Sequence, residues 1–188
     1  MREPESCVVF EPFATLLAVV DVADANMWQE VQYFSRDERR NEEIIYELDD
    51  GETVVRGIDD QFVAVVFASV TGPRRVEAEQ LLRAAGRAVD DIELWQWARS
   101  DDPARRAFAL RAVAATSTGS ADPRIVSLYT EAVSDGDPVV RAALLESVGR
   151  AAWPELWPVV DALASPETAE GTALKDAYEA HLPRPTSA

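Results

Sequence analysis

The residues best suited to chemistry in this sequence are carboxylates. Eight acids lie in and beside short apolar runs between residues 42 and 60, namely Glu42, Glu43, Glu47, Asp49, Asp50, Glu52, Asp59 and Asp60. Five of them could gather at neighbouring turns and hold a hard cation such as Ca²⁺ or Mg²⁺, namely Asp49, Asp50, Glu52, Asp59 and Asp60. Their spacing matches no EF-hand loop, however, and solvated turn residues are the ordinary interpretation of such a pattern. We therefore expect no metal and no cofactor.

Candidates for nucleophilic or acid–base catalysis are few. The chain has one cysteine, Cys7, and one histidine, His181, which lie near opposite ends of the sequence. A small buried hydrophobe and a frayed helix end explain these two residues more simply than a Cys–His pair does. No P-loop, dinucleotide-binding glycine pattern, HExxH or G-x-S-x-G sequence occurs. We expect a protein without catalytic residues, that is, not an enzyme.

The net charge restricts the class of partner. The chain has 34 Asp and Glu against 18 Lys and Arg, a net charge of −16. Residues 1–72 carry 16 acids and 5 bases, whereas residues 73–188 carry 18 acids and 13 bases. A negative field repels phosphate backbones, because nucleic-acid binding depends on Lys and Arg displacing counterions. The composition therefore favours a basic protein as partner over nucleic acid or a membrane.

The sequence also indicates a compartment. A single cysteine excludes an internal disulfide and favours a reducing environment. The most apolar N-terminal stretch, residues 8–20, is broken by Glu11 and Pro12 and is shorter than the roughly 20 residues of a membrane span. It lacks the basic segment and the cleavage site of a signal peptide. We expect a cytoplasmic, soluble chain.

Two segments 35 residues apart share one pattern. DPARRAFALRAVA at 102–114 and DPVVRAALLESVG at 137–149 are identical at six of thirteen aligned positions. Asp before Pro supplies an N-cap oxygen and a fixed φ at the first helical position. The apolar positions that follow have helical spacing; they are Ala107, Leu110, Val113 and Ala114 in the first segment and Ala142, Leu145, Val148 and Gly149 in the second.

The helices around these segments extend the pattern into a repeat. LWQWARSDDP at 94–103 is similar to LYTEAVSDGDP at 128–138, and LWPVVDALASPE at 156–167 ends in a further cap pair, Ser165-Pro166. The unit is a helical hairpin of about 35 residues, which is within the range of stacked helical repeats. The predicted helices are 74–88, 90–99, 103–116, 122–134, 138–151, 154–164 and 167–181.

This Asp-Pro start, followed by Arg and an Ala/Leu stripe, resembles the HEAT repeats of short bacterial proteins. The resemblance covers residues 73–182 and implies an α-solenoid of about three helical hairpins. It also implies that Arg106 and Arg141 pair with an acid near a neighbouring turn, for which Asp102 or Asp137 could serve. Two predicted helices depart from this pattern: the helix over 74–88 lacks the Asp-Pro cap, and the helix over 167–181 lacks the Arg. The residues assigned to repeat structure are Asp102, Pro103, Arg106, Leu110, Asp137, Pro138, Arg141 and Leu145.

The N-terminal part has strand-like patterning. Apolar runs at 44–48, 53–58 and 61–71, separated by turn-forming Asp50-Gly51 and Asp59-Asp60, predict a three-stranded antiparallel meander. The third strand is apolar on both faces, so we expect cover on each side. A helix from Pro12 would supply one cover, with a strand over 14–22 as the alternative, and the first repeat helices could supply the other. The stripe of that helix would comprise Phe13, Leu16, Leu17, Val20, Met27, Val31 and Phe34.

These patterns together predict an α+β chain, mostly α. We expect an acidic cap over residues 1–72, joined at Gly72-Pro73 to repeats over 73–182, and a flexible tail over 183–188. Stacked repeats usually bind macromolecules, so the leading hypothesis is a protein-binding module. Its acidic cap, through the eight carboxylates of 42–60, would bind a basic partner, for instance as an immunity or inhibitor protein that neutralises a toxin.

Two other functions remain open at this stage. The first is a scaffold or chaperone subunit for another enzyme. The second is a HEAT-like nucleic-acid-binding or DNA-repair protein, an idea that depends on a group of arginines between residues 74 and 111. That group comprises Arg74, Arg75, Arg83, Arg87, Arg99, Arg105, Arg106 and Arg111.

Overall fold

The computed structural model describes residues 6–38, 40–85, 87–117, 121–164 and 169–182. The chain divides into two compact units, and the boundary along the sequence falls between Leu94 and Trp95, in helix α3 (Asp91–Trp97). It is an α+β protein with an antiparallel sheet in its N-terminal part, as the sequence predicts. The predicted tail and the Ser165-Pro166 cap lie outside the described residues.

The first unit is built on a six-stranded antiparallel sheet with the order β2-β3-β4-β5-β1-β6. Its elements in chain order are β1 (Ser6–Phe10), α1 (Leu17–Ala25), β2 (Gln29–Phe34), β3 (Glu42–Glu47), β4 (Val54–Asp60), β5 (Val65–Thr71), α2 (Arg75–Ala84) and β6 (Ala88–Val89). The predicted meander is present as β3, β4 and β5, while β1, β2 and β6 extend it on both sides.

The predicted helix from Pro12 is wrong over much of its length. Only Leu17–Ala25 is helical, and Val31 and Phe34 lie in β2. Met27 ends the helix because its backbone is left-handed, with a φ of 54°. Phe13, also left-handed with a φ of 68°, and Met27 are exposed rather than part of a buried stripe.

The turn between β4 and β5 is displaced from its predicted position. Asp59 and Asp60 end β4, and residues 61–64 form the turn. The Asp60 carboxylate is fully buried and accepts a hydrogen bond from the backbone N–H of Phe62 at 3.0 Å. Ala64, with a φ of 51°, closes the turn. This local backbone bond gives one oxygen of the buried carboxylate a donor while Asp60 stays in the strand.

Both covering helices pack on the same face of the sheet. The strand register places Val8, Ala68, Gly57 and Ile44 side by side, and α1 and α2 contribute to one hydrophobic core with this face. A Cβ on Gly57 would lie 3.1 Å from the Ile44 side chain and 3.2 Å from that of Val19, so this glycine lets α1 approach closely. The expectation that the first repeat helix covers the opposite face is therefore wrong for α2. The buried character of β5 is confirmed.

The second unit is helical. It comprises α4 (Pro103–Thr116), α5 (Pro123–Ala132), α6 (Pro138–Ala151), a 3-10 turn (Pro154–Leu156), α7 (Trp157–Leu163) and α8 (Ala169–His181). The side chains of Asp102, Asp122 and Asp137 cap α4, α5 and α6, each accepting from the N–H two residues later at 2.8–2.9 Å. The predicted division into domains after residue 72 stays a prediction. Helix α2, which that division assigns to the repeats, contacts β1, β5 and β6 of the sheet.

The two matching helices pack against each other, yet they are buried differently. All four predicted apolar positions of α4 are buried. On α6 only Val148 of the four predicted positions is buried. Ala142 and Gly149 are exposed, and Leu145 is half-buried. The buried side of α6 consists of Val140, Ala143, Leu144, Ser147 and Val148. Shared sequence therefore gives both segments the same helix start but not the same environment.

An arginine joins the turns that precede these two helices. The Arg106 Nε donates to Asp135 at 2.9 Å and its Nη2 donates to the other carboxylate oxygen at 3.3 Å. Its Nη1 donates to the Ser100 carbonyl at 2.8 Å. The predicted acid, Asp102 or Asp137, is thus corrected to Asp135. Arg141 has no corresponding ion pair among the residues that the structure describes.

Candidate functional site

The eight predicted contact acids divide between the two ends of the β3–β4 hairpin. Glu42 pairs in register with Asp59 at one end, and Glu47 pairs with Val54 at the other. These ends are about 17 Å apart at the rise of an antiparallel strand. Glu42, Glu43, Asp59 and Asp60 therefore lie at one end, and Glu47, Asp49, Asp50 and Glu52 at the other. The structure does not bring the eight together.

Most of the acids at the Glu42 end have partners within the fold. Asp59 forms an ion pair with Arg36, and the Arg56 Nε lies 3.9 Å from Glu43. Burial raises the pKa of Asp59, and the Arg36 charge opposes that rise. Glu42 accepts a hydrogen bond from the Tyr33 hydroxyl at 2.7 Å. Because Asp60 has no exposed surface, it is removed from the predicted contact set.

At the other end, Asp50 builds the turn. Its carboxylate accepts from the Thr53 N–H at 2.8 Å, the Thr53 hydroxyl at 2.6 Å and the Glu52 N–H at 3.1 Å. The Thr53 bonds hold the pKa of Asp50 below its usual range. Asp49 forms an ion pair with Arg74. Glu47 and Glu52 have no ion pair with a described residue, so they are the predicted acids most available at this end.

A second acidic surface, which sequence reasoning missed, lies on α1 and β2. We call it the α1–β2 surface and define it by Leu17, Asp21, Asp24, Met27, Glu30, Val31 and Tyr33. The exposed fractions of its large apolar side chains are 60% for Leu17, 90% for Met27, 48% for Val31 and 50% for Tyr33. Within the described ranges, none of its three carboxylates has an ion pair.

Helix packing produces this surface. Helix α1 buries Ala18, Val19, Val22 and Ala23 against the sheet, so helical periodicity turns Leu17, Asp21 and Asp24 outward. Strand β2 begins directly after α1 and presents Glu30. Burial raises the pKa of Tyr46, and the charges of Glu30 and Asp24 raise it further. The Asp24 carboxylate of α1 and the Glu30 carboxylate of β2 therefore both lie near the Tyr46 side chain.

The residues of this surface were visible in the sequence, but their spacing pointed elsewhere. In the sequence, the helical spacing of Met27 and Val31 predicts that both belong to a buried stripe. That prediction gives the neighbouring acids no role. Exposed apolar side chains next to unpaired carboxylates are the features of a protein-binding surface, with anchors that bury and charges that select the partner. Chemically, this arrangement suits a partner that has both apolar and cationic groups.

The second unit carries an aromatic groove with two arginines. Trp95, Arg99, Pro123, Arg124 and Ser127 line a volume of about 540 Å³. The guanidinium carbons of Arg99 and Arg124 lie 5.9 Å and 5.7 Å from the Trp95 ring centre. Both arginines also face acids, Arg99 at 3.9 Å from Glu131 and Arg124 at 2.6 Å from Asp122. The groove's positive charge is thus largely offset.

Carboxylates also offset the wider arginine group. Six of its eight members form ion pairs with described acids, namely Arg74, Arg83, Arg99, Arg105, Arg106 and Arg111. Of the other aromatic residues of this unit, Trp153 and Trp157 are buried, and Trp97 packs edge-on against Phe108 with the ring centres 5.8 Å apart. Trp95 and Trp97 are thus less buried than Trp153 and Trp157.

Other classes of site find no support in the described residues. These residues contain no group of three or more His, Cys, Asp or Glu side chains arranged to hold a metal ion. No helix in that part of the chain is long and apolar enough to cross a membrane. Cys7 lies in β1, and His181 is the last residue of α8.

Comparison of the chain with protein-family models, with curated proteins and with solved structures finds no match. The resemblance to HEAT repeats therefore rests on the residues quoted for it.

Proposed function

We propose that this chain is a non-enzymatic protein-binding module that binds a basic protein through the α1–β2 surface. The observation that carries the proposal is that the consecutive elements α1 and β2, with the turn between them, carry four large exposed apolar side chains and three exposed carboxylates that have no ion pair with a described residue. A carboxylate already paired within the fold gives up that pair when it meets a partner, whereas an unpaired one does not. Such acids therefore contribute more to association.

The distribution of charge supports the same partner. Residues 1–94 carry 21 acids and 9 bases, whereas residues 95–188 carry 13 acids and 9 bases. The first unit thus has the stronger negative field. Such a field raises the association rate with a cationic partner, and the effect weakens as salt is added.

The specific version that we propose is an immunity or inhibitor protein that neutralises a basic toxin. Asp21, Asp24 and Glu30 would occupy cationic groups that the toxin uses on its own anionic substrate. A scaffold or chaperone subunit would use the same surface. The two versions differ in one measurable property, because an inhibited partner loses its activity in the complex whereas a scaffolded partner keeps it.

Nucleic-acid binding is the weaker alternative. It requires cationic side chains free to meet phosphates, and most of the arginines between 74 and 111 already contact carboxylates. We also propose that α4 to α8 stack as HEAT-like repeats. The packing of α4 on α6 and the Arg106–Asp135 pair support that arrangement.

Affinity capture followed by a binding measurement tests the function. The immobilised chain is exposed to host extract at about 50 mM and about 500 mM salt, and the captured protein is purified for titration. We expect a basic protein that is retained at the lower concentration and binds more weakly at the higher one. Recovery of nucleic acid instead, or of no basic protein at the lower salt, contradicts the proposal.

Three variants of equal charge change locate the contact. Asp24→Lys/Glu30→Lys reverses the α1–β2 surface, and Glu47→Lys/Glu52→Lys reverses the hairpin acids predicted from sequence. Asp101→Lys/Glu155→Lys is the matched control, because both residues are exposed, lie in the second unit and have no ion pair with a described residue. We expect the first variant to weaken binding about tenfold or more and the control by less than about threefold. Equal losses in all three would show that only net charge matters.

A further inference from the structure

Strand β2 is the outer strand of the sheet. It pairs with β3 on one side, and no described strand pairs with its other side. In an antiparallel pair, alternate residues direct their backbone N–H and C=O groups away from the partner strand. β2 therefore presents a row of outward backbone donors and acceptors over Gln29–Phe34.

This edge is accessible along its length. Five of the six β2 residues are exposed, and Phe34 is half-buried. The strand contains neither Pro nor Lys, two residues that commonly block edge pairing. Its side chains instead include Val31 and Tyr33, which belong to the α1–β2 surface. Backbone groups and side chains that can bind a partner thus occupy the same element.

Charge distinguishes a foreign strand from a second copy of this chain. Pairing β2 with β2 of another copy would bring together two chains of net charge −16, with Glu30 of each in the shared edge strands. A β-bulge between Glu30 and Gln32 interrupts the edge equally for any added strand, so charge is what distinguishes the two occupants. A basic segment does not meet this charge repulsion.

We propose that β2 accepts an extended basic segment of the partner as an additional, seventh strand of this sheet. The inference rests on the proposed function and names how the partner binds. Glu30 and Tyr33 pair in register with Tyr46 and Ile44, whose side chains face α1. Alternate side chains of the added strand lie on that same side of the sheet, beside Glu30. The segment therefore carries Lys or Arg at every second position.

The test uses short peptides of fixed charge. The probe is acetyl-Lys-Val-Lys-Val-Lys-Val-amide, compared with two versions N-methylated either at every lysine or at every valine. In a strand, alternate amides point to the same edge, so only one of the two patterns removes the N–H groups that meet β2. We expect the two methylated peptides to differ in affinity by about tenfold or more, with one close to the parent peptide. Titration followed by NMR shifts of the β2 amides measures this.

Hydrogen exchange supplies the second measurement. On binding of the parent peptide, the outward amides among residues 29–34 should gain protection, and those of α6 should not. A peptide with Asp in place of each Lys should not bind. If both methylated peptides bind as well as the parent, or if both lose affinity equally, strand addition is overturned.

The outcomes separate this inference from the proposed function. Binding that ignores methylation but is lost in Asp24→Lys/Glu30→Lys refutes strand addition and leaves the α1–β2 surface as a side-chain contact. Capture of a basic protein that fails to protect the β2 amides refutes strand addition in the same way. Absence of any basic partner in the capture experiment instead removes the proposed function itself.

Discussion

Removing Arg106 should destabilise the second unit much more than removing Arg141, which occupies the equivalent position of the matching helix. Arg106 makes two hydrogen bonds to Asp135 and one to the Ser100 carbonyl. The side chains of Arg106 and Asp135 are only 21% and 18% exposed, so water screens the pair less than it screens a surface pair. Arg141 has no such pair among the described residues.

The expected size follows from these contacts. A bidentate, partly buried Arg–carboxylate pair should couple by about 1–2 kcal/mol, whereas an exposed pair is worth under about 1 kcal/mol. Arg106→Ala also loses the Ser100 bond and leaves Asp135 without its partner, which brings its cost to about 2–3 kcal/mol of unfolding free energy. Arg141→Ala should cost under about 1 kcal/mol.

A double-mutant cycle with Arg106→Ala, Asp135→Asn and the double variant isolates the coupling. Urea unfolding followed by tryptophan fluorescence suits this measurement, because four of the five tryptophans lie in residues 95–188. The exposed pair Arg124–Asp122 provides a reference cycle. A coupling below about 0.5 kcal/mol, or equal costs for Arg106→Ala and Arg141→Ala, would refute the view that this pair joins the two turns.

Three further predictions concern stability. Gly72→Ala should cost about 3 kcal/mol, because a Cβ there lies 2.5 Å from the Glu52 carbonyl oxygen at a φ of 102°; a cost under about 1 kcal/mol, from urea midpoints, would contradict this geometry. Asp137→Ala removes the α6 cap and should cost about 1 kcal/mol by the same assay, whereas Asp137→Ser should be nearly neutral. The Asp137 N–H and Arg106 hold the pKa of Asp135 below its usual value, with burial opposing them. This carboxylate therefore stabilises the fold at pH values above its pKa in the unfolded chain, and the stabilisation is lost as the pH falls below about 4 and through its pKa in the folded protein. Asp135→Asn should make the unfolding free energy less dependent on pH in that acid range.

Local patterns predicted the helices of the second unit well. Each Asp-Pro pair specifies a helix start by itself, so the starts of α4, α5 and α6 are confirmed to within a residue. Burial was harder to predict, since it depends on which neighbours surround a helix. Ala107 is buried and its counterpart Ala142 is exposed, although the two have the same residue type and the same helical position.

The missed strands show what local patterns lack. β2 is exposed along nearly its whole length, so its sequence has no alternation of apolar and polar residues to mark it. Val31 and Phe34, three residues apart, instead mimicked a helical stripe. β1 pairs only with β5 and β6, which come much later in the chain. The acids of 42–60 were found by their abundance, but their pairing with Arg36, Arg56 and Arg74 depends on tertiary contacts.

The position of β1 has a consequence for the order of folding. Strands β2 to β5 join neighbours along the chain, whereas Ser6 pairs with Val70 and Val9 pairs with Phe67. Closing so long a loop carries a larger entropic cost than forming successive hairpins, and non-local pairs of this kind slow folding. On a ribosome, β1 emerges before the other strands of this sheet, yet it stays without its β5 neighbour until residue 70 has emerged. The meander should therefore be the nucleus of the sheet, and β1 the strand that completes it.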